Sequence, residues 1–117
     1  MEFKNHEDEL TASDMRLKTN IEPITNALDK VKSLSTFTYN LNTVAESIGF
    51  RSIEEKHLGL SAQELLEVAP ESVGKLPVNN DYYAVKYDRL VVLLIAAVKE
   101  QQQIIDDLKL QIQNLST

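Results

Sequence analysis

The chain has 117 residues and 43% hydrophobic content, enough for one small domain near the size at which a single core sustains a fold. Twelve basic against eighteen acidic residues give a net charge of −6, and no basic stripe interleaved with aromatics occurs, which speaks against a nucleic-acid partner. With no cysteine, and with His6 and His57 far apart, there is no thiolate, disulfide framework or metal-ligand cluster, so neither a metal nor a cofactor is expected.

The opening run Met1 to Glu9 is charged where a secretory signal needs an apolar stretch, so export by that route is not expected. Residues 1 to 12 carry no apolar period and read as a leader or as the stub of something larger. After Lys18, Ile21, Ile24, Leu28, Val31 and Leu34 recur at helical spacing, which predicts a helix over 21–34 with Asn20 as its cap and Pro23 in its first turn. Phe37, Tyr39 and Leu41 alternate with Thr38 and Asn40, a period of two that predicts a short strand with one buried face. From there to Gly49 no element is expected.

Ser61-Ala62-Gln63-Glu64 is a capping box. The Ser61 hydroxyl accepts the Glu64 N–H while the Glu64 carboxylate reaches back, and the helix it starts ends at Pro70. Gly74, Pro77, Asn79 and Asn80 mark a loop over 73–81. Tyr83, Val85 and Tyr87 alternate as another strand, with Tyr82, Tyr83 and Tyr87 as core aromatics or an interface patch.

Asp88 is positioned to cap a final helix over about 88–115, which neither proline nor glycine interrupts. Its heptads put Val91, Val98, Ile105 and Ile112 at a and Leu94, Gln101, Leu108 and Leu115 at d, so seven of eight seam positions are apolar. That pattern predicts a coiled coil and hence an oligomer; β-branched residues at a with leucine at d lean towards two strands, and Gln101 fixes register or strand number. Leu90, Val92, Leu93 and Ile95 lie off the seam and point to a wider core between subunits. The competing reading is a helix packed on its own domain. The longest strongly apolar run, Leu90 to Val98, is nine residues against the roughly 20 of a membrane span, so no membrane partner is expected. The fold class is therefore mainly α with short β-strands (α+β), ending in a long coiled-coil helix.

Ser13 and Lys18 are five apart, and a turn between them brings a hydroxyl near an amine. Such a pair serves as nucleophile and base when the lysine is held neutral by burial or by a neighbouring cation, and Arg16 is such a neighbour. Spacing alone equally describes two solvated polar residues.

The segment Ser13-Asp14-Met15-Arg16-Leu17-Lys18-Thr19-Asn20-Ile21 resembles the opening signature of the intramolecular chaperone auto-processing domain, the C-terminal domain of phage endosialidases, tail fibres and neck appendages. Leu58-Gly59-Leu60-Ser61-Ala62-Gln63-Glu64 with the Pro70-Glu71-Ser72-Val73 turn, and Tyr87-Asp88-Arg89-Leu90 with Ala97-Val98-Lys99-Glu100-Gln101, are similar to its later blocks, in the same order. The resemblance implies an intertwined homotrimer that helps an upstream β-structured fibre of the same polypeptide to fold and then cuts itself off. In that family the cut would fall between Ser13 and Asp14, with Ser13 as nucleophile and Lys18 as base. It divides the chain into residues 1–13, belonging to the passenger, and residues 14–117, the chaperone. Arg16, His57, Gln63 and Glu64 are supporting candidates, and N–H groups at the start of the 21–34 helix are candidates for an oxyanion site. The place of action implied is the host cytoplasm during virion assembly. The alternatives are a trimerisation module whose Ser13 and Lys18 are inert, and the related domain of membrane-tethered transcription factors.

Overall fold

A computed structural model describes residues 10–116. Met15–Leu17 form one turn of 3₁₀ helix, and the chain then runs without regular structure to Asn26. Four α-helices follow, α1 (Ala27–Lys32), α2 (Thr43–Ser47), α3 (Ala62–Val68) and α4 (Tyr87–Leu115), with strands β1 (Thr36–Tyr39), β2 (His57–Leu60), β3 (Val73–Lys75) and β4 (Tyr83–Val85). β1 pairs antiparallel with β2 and β3 with β4, so the sheets are two separate two-stranded ribbons. This is an α+β chain with a long terminal helix, as composition and periodicity predict. No helix among the described residues is long and apolar enough to cross a membrane.

The first helix is much shorter than the 21–34 expected. Pro23 disfavours helical backbone at Glu22, and Asn20 and Asn26 are both left-handed, with φ of 54° and 56°. Asn20 is therefore no cap; Asn26 stands at the cap position and makes no side-chain capping bond. Six residues are too few for a helix in water, where roughly 12–15 are marginal, so α1 is held from outside. The Glu100 carboxylate of α4 accepts the N–H groups of Ala27 and Leu28, each at 2.9 Å. Beyond the other end, the Glu64 carboxylate of α3 accepts the Ser35 N–H at 2.8 Å and its hydroxyl at 3.0 Å.

The capping box is thus half formed: Ser61 Oγ does accept the Glu64 N–H at 3.2 Å, but the carboxylate is spent on Ser35 instead of reaching back. Pro70 ends α3 as expected, in a 3₁₀ turn over Pro70–Ser72. The predicted 73–81 loop begins one strand late, because Val73–Lys75 pairs with Tyr83–Val85. At the start of α4 the cap position falls to Lys86, which makes no side-chain capping bond, and Asp88 sits inside the first turn.

Between Tyr39 and His57, where no element was expected, Asn42 caps α2 by accepting the Ala45 N–H at 3.0 Å. Asn40 organises the return loop: its amide donates to the Glu54 and Glu55 carbonyls, both at 3.0 Å, and its oxygen accepts Lys56 Nζ at 2.9 Å. β1 is not half-buried as its alternation suggests; all four of its residues are exposed, and Phe37 and Tyr39 pack edge to face above β2. Gly59 is required beneath them, since a Cβ there would lie 2.6 Å from the Tyr39 ring.

The core is small. Ala27, Leu65, Ala69, Leu90, Leu93 and Ala97 are its buried members, with Leu28, Val31, Leu34, Leu60, Val68 and Val73 packed around them. Leu90 and Leu93 therefore bury within their own chain, a correction to the intersubunit core inferred for them, whereas Val92 and Ile95 stay exposed. From Gln101 to Ser116 every residue of α4 and its cap is exposed, including the seam residues Gln101, Ile105, Leu108, Ile112 and Leu115. The other seam residues, Val91, Leu94 and Val98, are exposed too. The helix thus packs on its own domain along one stripe and leaves its heptad seam uncovered.

Leu65 is the largest fully buried side chain. Leu65→Ala should destabilise the fold by about 2–5 kcal/mol, read as a lower urea midpoint at unchanged slope.

Candidate functional site

Ser13 to Lys18 form a self-contained turn. Asp14 sits at the N-cap of the 3₁₀ helix in extended backbone, and its carboxylate accepts the Arg16 N–H at 2.9 Å. Asp14 accepts two more bonds, from Arg16 Nε at 3.1 Å and Nη2 at 2.8 Å, so the guanidinium grips the carboxylate with both of its edge donors. The turn closes through backbone bonds from Leu17 and Lys18 N–H to the Asp14 and Met15 carbonyls.

This geometry carries Lys18 back over Ser13. Lys18 Nζ donates to Ser13 Oγ at 3.0 Å, and both residues are exposed. The five-residue spacing becomes a direct contact because the 3₁₀ turn occupies the three residues between Asp14 and Lys18. Arg16 forms a surface ion pair with the Asp14 carboxylate, at 2.8 Å. Its guanidinium holds the Asp14 carboxyl below the usual range, while Asp14 in turn raises Arg16. The bond between Ser13 and Asp14 lies at the mouth of this turn, with a hydroxyl and an amine on one side and a fixed anion on the other.

The supporting candidates lie elsewhere. Among the described residues no hydrogen bond or ion pair joins the turn to His57, Gln63 or Glu64. His57 faces Tyr39 across the β-ribbon and stacks on it at 5.3 Å, with its Nε2 buried and unpaired. Gln63 lies in the first turn of α3, and Glu64 is engaged with Ser35. The oxyanion donors expected at the start of the first helix are occupied as well, since the Ala27 and Leu28 N–H groups donate to Glu100.

A second surface includes Tyr82, Tyr83 and Tyr87, for which the sequence offered an interface patch as one of two readings. Phe37, Tyr39, Leu41, Val44, Tyr82, Tyr83 and Tyr87 line an open apolar groove between the two ribbons and α2. The three tyrosines are accordingly surface residues and not core. Lys75 Nζ lies 4.2 Å above the Tyr83 ring, a cation–π contact at the edge of this patch. The signal that was available is the density of aromatics on two strands too short to bury them. No group of acidic or histidine side chains suited to a metal ion occurs among the described residues.

Residues 13–74 match the protein family described as chaperone of endosialidase. The long tail fiber protein Gp37 of Enterobacteria phage Ox2 is 36% identical over 107 residues, covering 90% of this chain and 41% of that protein. Gp37 of Enterobacteria phage K3 is 42% identical over 89 residues, covering 74% of this chain and 7% of that protein. Gp37 of Enterobacteria phage M1 is 36% identical over 99 residues, covering 83% of this chain and 38% of that protein. The chain therefore spans less than half the length of each of these relatives.

Removing the Arg16 guanidinium should raise the Asp14 carboxyl from its lowered position, because the side-chain bonds that lower it most are lost while the backbone N–H bond of residue 16 stays. NMR titration of the Asp14 side chain in Arg16→Ala against the native chain measures it, with the native group titrating at lower pH.

Proposed function

This chain belongs to the chaperone-of-endosialidase family, and from that premise we propose that it is the C-terminal intramolecular chaperone of a phage fibre. In this reading it trimerises, promotes folding of the β-structured chain upstream, and releases itself by a single cut between Ser13 and Asp14. The observation that carries the cleavage reading is the 3.0 Å contact between Lys18 Nζ and Ser13 Oγ in a turn braced by Asp14 and Arg16.

Assembly rests on α4. Its eight-position seam is exposed along the helix, a strip of apolar side chains that a soluble chain covers with another copy of itself. Three strands follow from the family resemblance and not from the heptad pattern, which leans to two. Joining three C-termini raises the local concentration of the upstream segments to the order of millimolar. Registering an intertwined β-fibre then no longer requires three chains to meet by diffusion before any distant contact forms. The work takes place in the host cytoplasm during virion assembly, and the fibre passes on to the virion.

In the cut itself, Lys18 as the free amine accepts the Ser13 hydroxyl proton. The bond that breaks is the amide between the Ser13 carbonyl carbon and the Asp14 nitrogen. The Ser13 oxygen bonds to the carbonyl carbon as that amide breaks, and the nitrogen takes the proton back from Lys18 and leaves as a new amine. One water then opens the resulting ester to give the Ser13 carboxylate and restore its hydroxyl. Both groups of the pair stand in solvent in the single chain, so the burial that favours a neutral lysine comes from neighbouring subunits. Cleavage thereby follows assembly, and removal of the trimerising domain makes the folded fibre a kinetic end state.

Attack by Ser13 Oγ on its own carbonyl closes a strained four-membered ring. Attack on the Ala12 carbonyl closes a five-membered one and cuts before the serine. The two routes leave different N-termini, Asp14 or Ser13. The domain expressed behind its native upstream segment should yield a C-terminal fragment beginning at Asp14 by mass spectrometry. Ser13→Ala and Lys18→Ala should remain full length while sedimenting as trimers. An uncut wild type, or variants cut as fast as wild type, leaves only the trimerisation module; a monomer by ultracentrifugation removes that as well.

A further inference from the structure

Resting on the cleavage reading above, we infer that Glu100 is a positioning residue for the cut. Its carboxylate fastens the segment bearing Ser13 and Lys18 to the shoulder of the oligomerising helix, so that the segment meets the neighbouring subunit in one register.

The first part of the case is helix geometry. Leu90, Leu93, Ala97 and Glu100 form the stripe of α4 that faces α1, and each is followed directly by a seam residue: Val91, Leu94, Val98 and Gln101. Successive residues on an α-helix are about 100° apart, so the two stripes run side by side. In an oligomer closed on the seam, α1 lies on the flank of α4, next to the groove where the partner helix approaches. Glu100 is the last inward-facing position before the helix leaves the domain, since no residue from Gln101 onwards is covered.

The second part is how the cleavage segment is attached. Residues 10 to 26 contribute nothing to the buried core, and Leu10, Met15, Leu17, Ile21 and Ile24 are all exposed. From Lys18 to Ala27 the chain spans at most about 30 Å, and Pro23 with two left-handed asparagines restricts its bends. Its first firm anchor is the start of α1, where Ala27 is fully buried. There the Ala27 N–H bonds to Glu100 Oε2 and the Leu28 N–H to Oε1, so one carboxylate holds the point at which the irregular segment enters α1. Those two bonds, joined by the positive charge of Lys30, hold the Glu100 carboxyl below its usual range, so the clamp is fully charged at neutral pH.

Nothing in this arrangement touches the reacting atoms. Glu100 acts at a distance, through the exit angle of the segment, and the loss expected is that of misplacement.

The test uses the full chain fused to its native upstream segment. Glu100→Gln keeps the side-chain shape but sets an NH₂ against one of the two N–H donors. It should slow cleavage about 10- to 100-fold and raise amide exchange at Ala27 and Leu28, with the oligomeric state by sedimentation unchanged. Ser35→Ala, which removes the hydroxyl bond to Glu64 just past the far end of α1, should cut at nearly the wild-type rate. A two-glycine insertion after Ile21 leaves clamp and core intact and should slow cleavage by shifting the register. That insertion decides the matter if Glu100→Gln fails to assemble. Cleavage at the wild-type rate in Glu100→Gln with deprotected amides overturns the inference, as do equal losses in the Ser35 and Glu100 variants or an insertion without effect. An uncut wild type removes the cleavage reading itself, a result distinct from a cut wild type beside a cut Glu100→Gln.

Discussion

A six-residue helix has no stability of its own, and the way this chain is held together follows from how α1 is kept in place. Two carboxylates, 36 positions apart in sequence, do it: Glu100 takes the free N–H groups at its start and Glu64 takes Ser35 just past its end. At the start, where Ala27 is buried, the Glu100 carboxylate supplies partners for backbone N–H groups that the short helix cannot pair itself. The anion at the N-terminus also sits at the favourable end of the helix dipole. With α1 fixed, Ala27 closes over Leu90, Leu93 and Ala97, and α3 brings Leu65 into the same cluster. Without it, α4 would lose its main packing partner.

What the core leaves uncovered is as informative as what it buries. One stripe of α4 is occupied by α1, and the adjacent stripe, continued through four heptads, faces solvent. Chains of this size bury a modest share of their surface on folding, and this one leaves an unusual length of regular apolar surface unpartnered. The aromatic groove between the ribbons adds to that surface. Such a surface suits a domain proposed to bring chains together.

The Ser13–Lys18 turn stands apart from this economy. It is built from local interactions alone, the Asp14 cap and the Arg16 fork, and needs no contact with the core to form. A preformed pair of groups on an exposed turn costs little in folding terms. Its surroundings are then left to be supplied by whatever the segment meets in the assembled state.

Much of this was legible in the residues. The long heptad helix, the Ser61 cap, the Pro70 stop, the strand at Tyr83 and the proximity of Ser13 to Lys18 all follow from local periodicity, capping chemistry and turn preferences, which act over a few residues and survive in any context. The pattern failed where a local preference met a distant partner. Ile21 and Ile24 have helical spacing with Leu28, yet they stay out of the helix because Pro23 and left-handed Asn26 interrupt it and Glu100, 74 positions from Asn26, sets where it begins. Phe37 and Tyr39 alternate as a buried strand does, yet remain exposed because a two-stranded ribbon has nothing above it. Glu64 looked committed to its own helix and was taken by Ser35. The sequence by itself therefore determined the long terminal helix, the start and stop of α3 and the closeness of Ser13 to Lys18. The tertiary structure alone decided which carboxylate caps which helix and which stripe of α4 faces inward, because those choices depend on partners that only the folded chain brings within hydrogen-bonding reach.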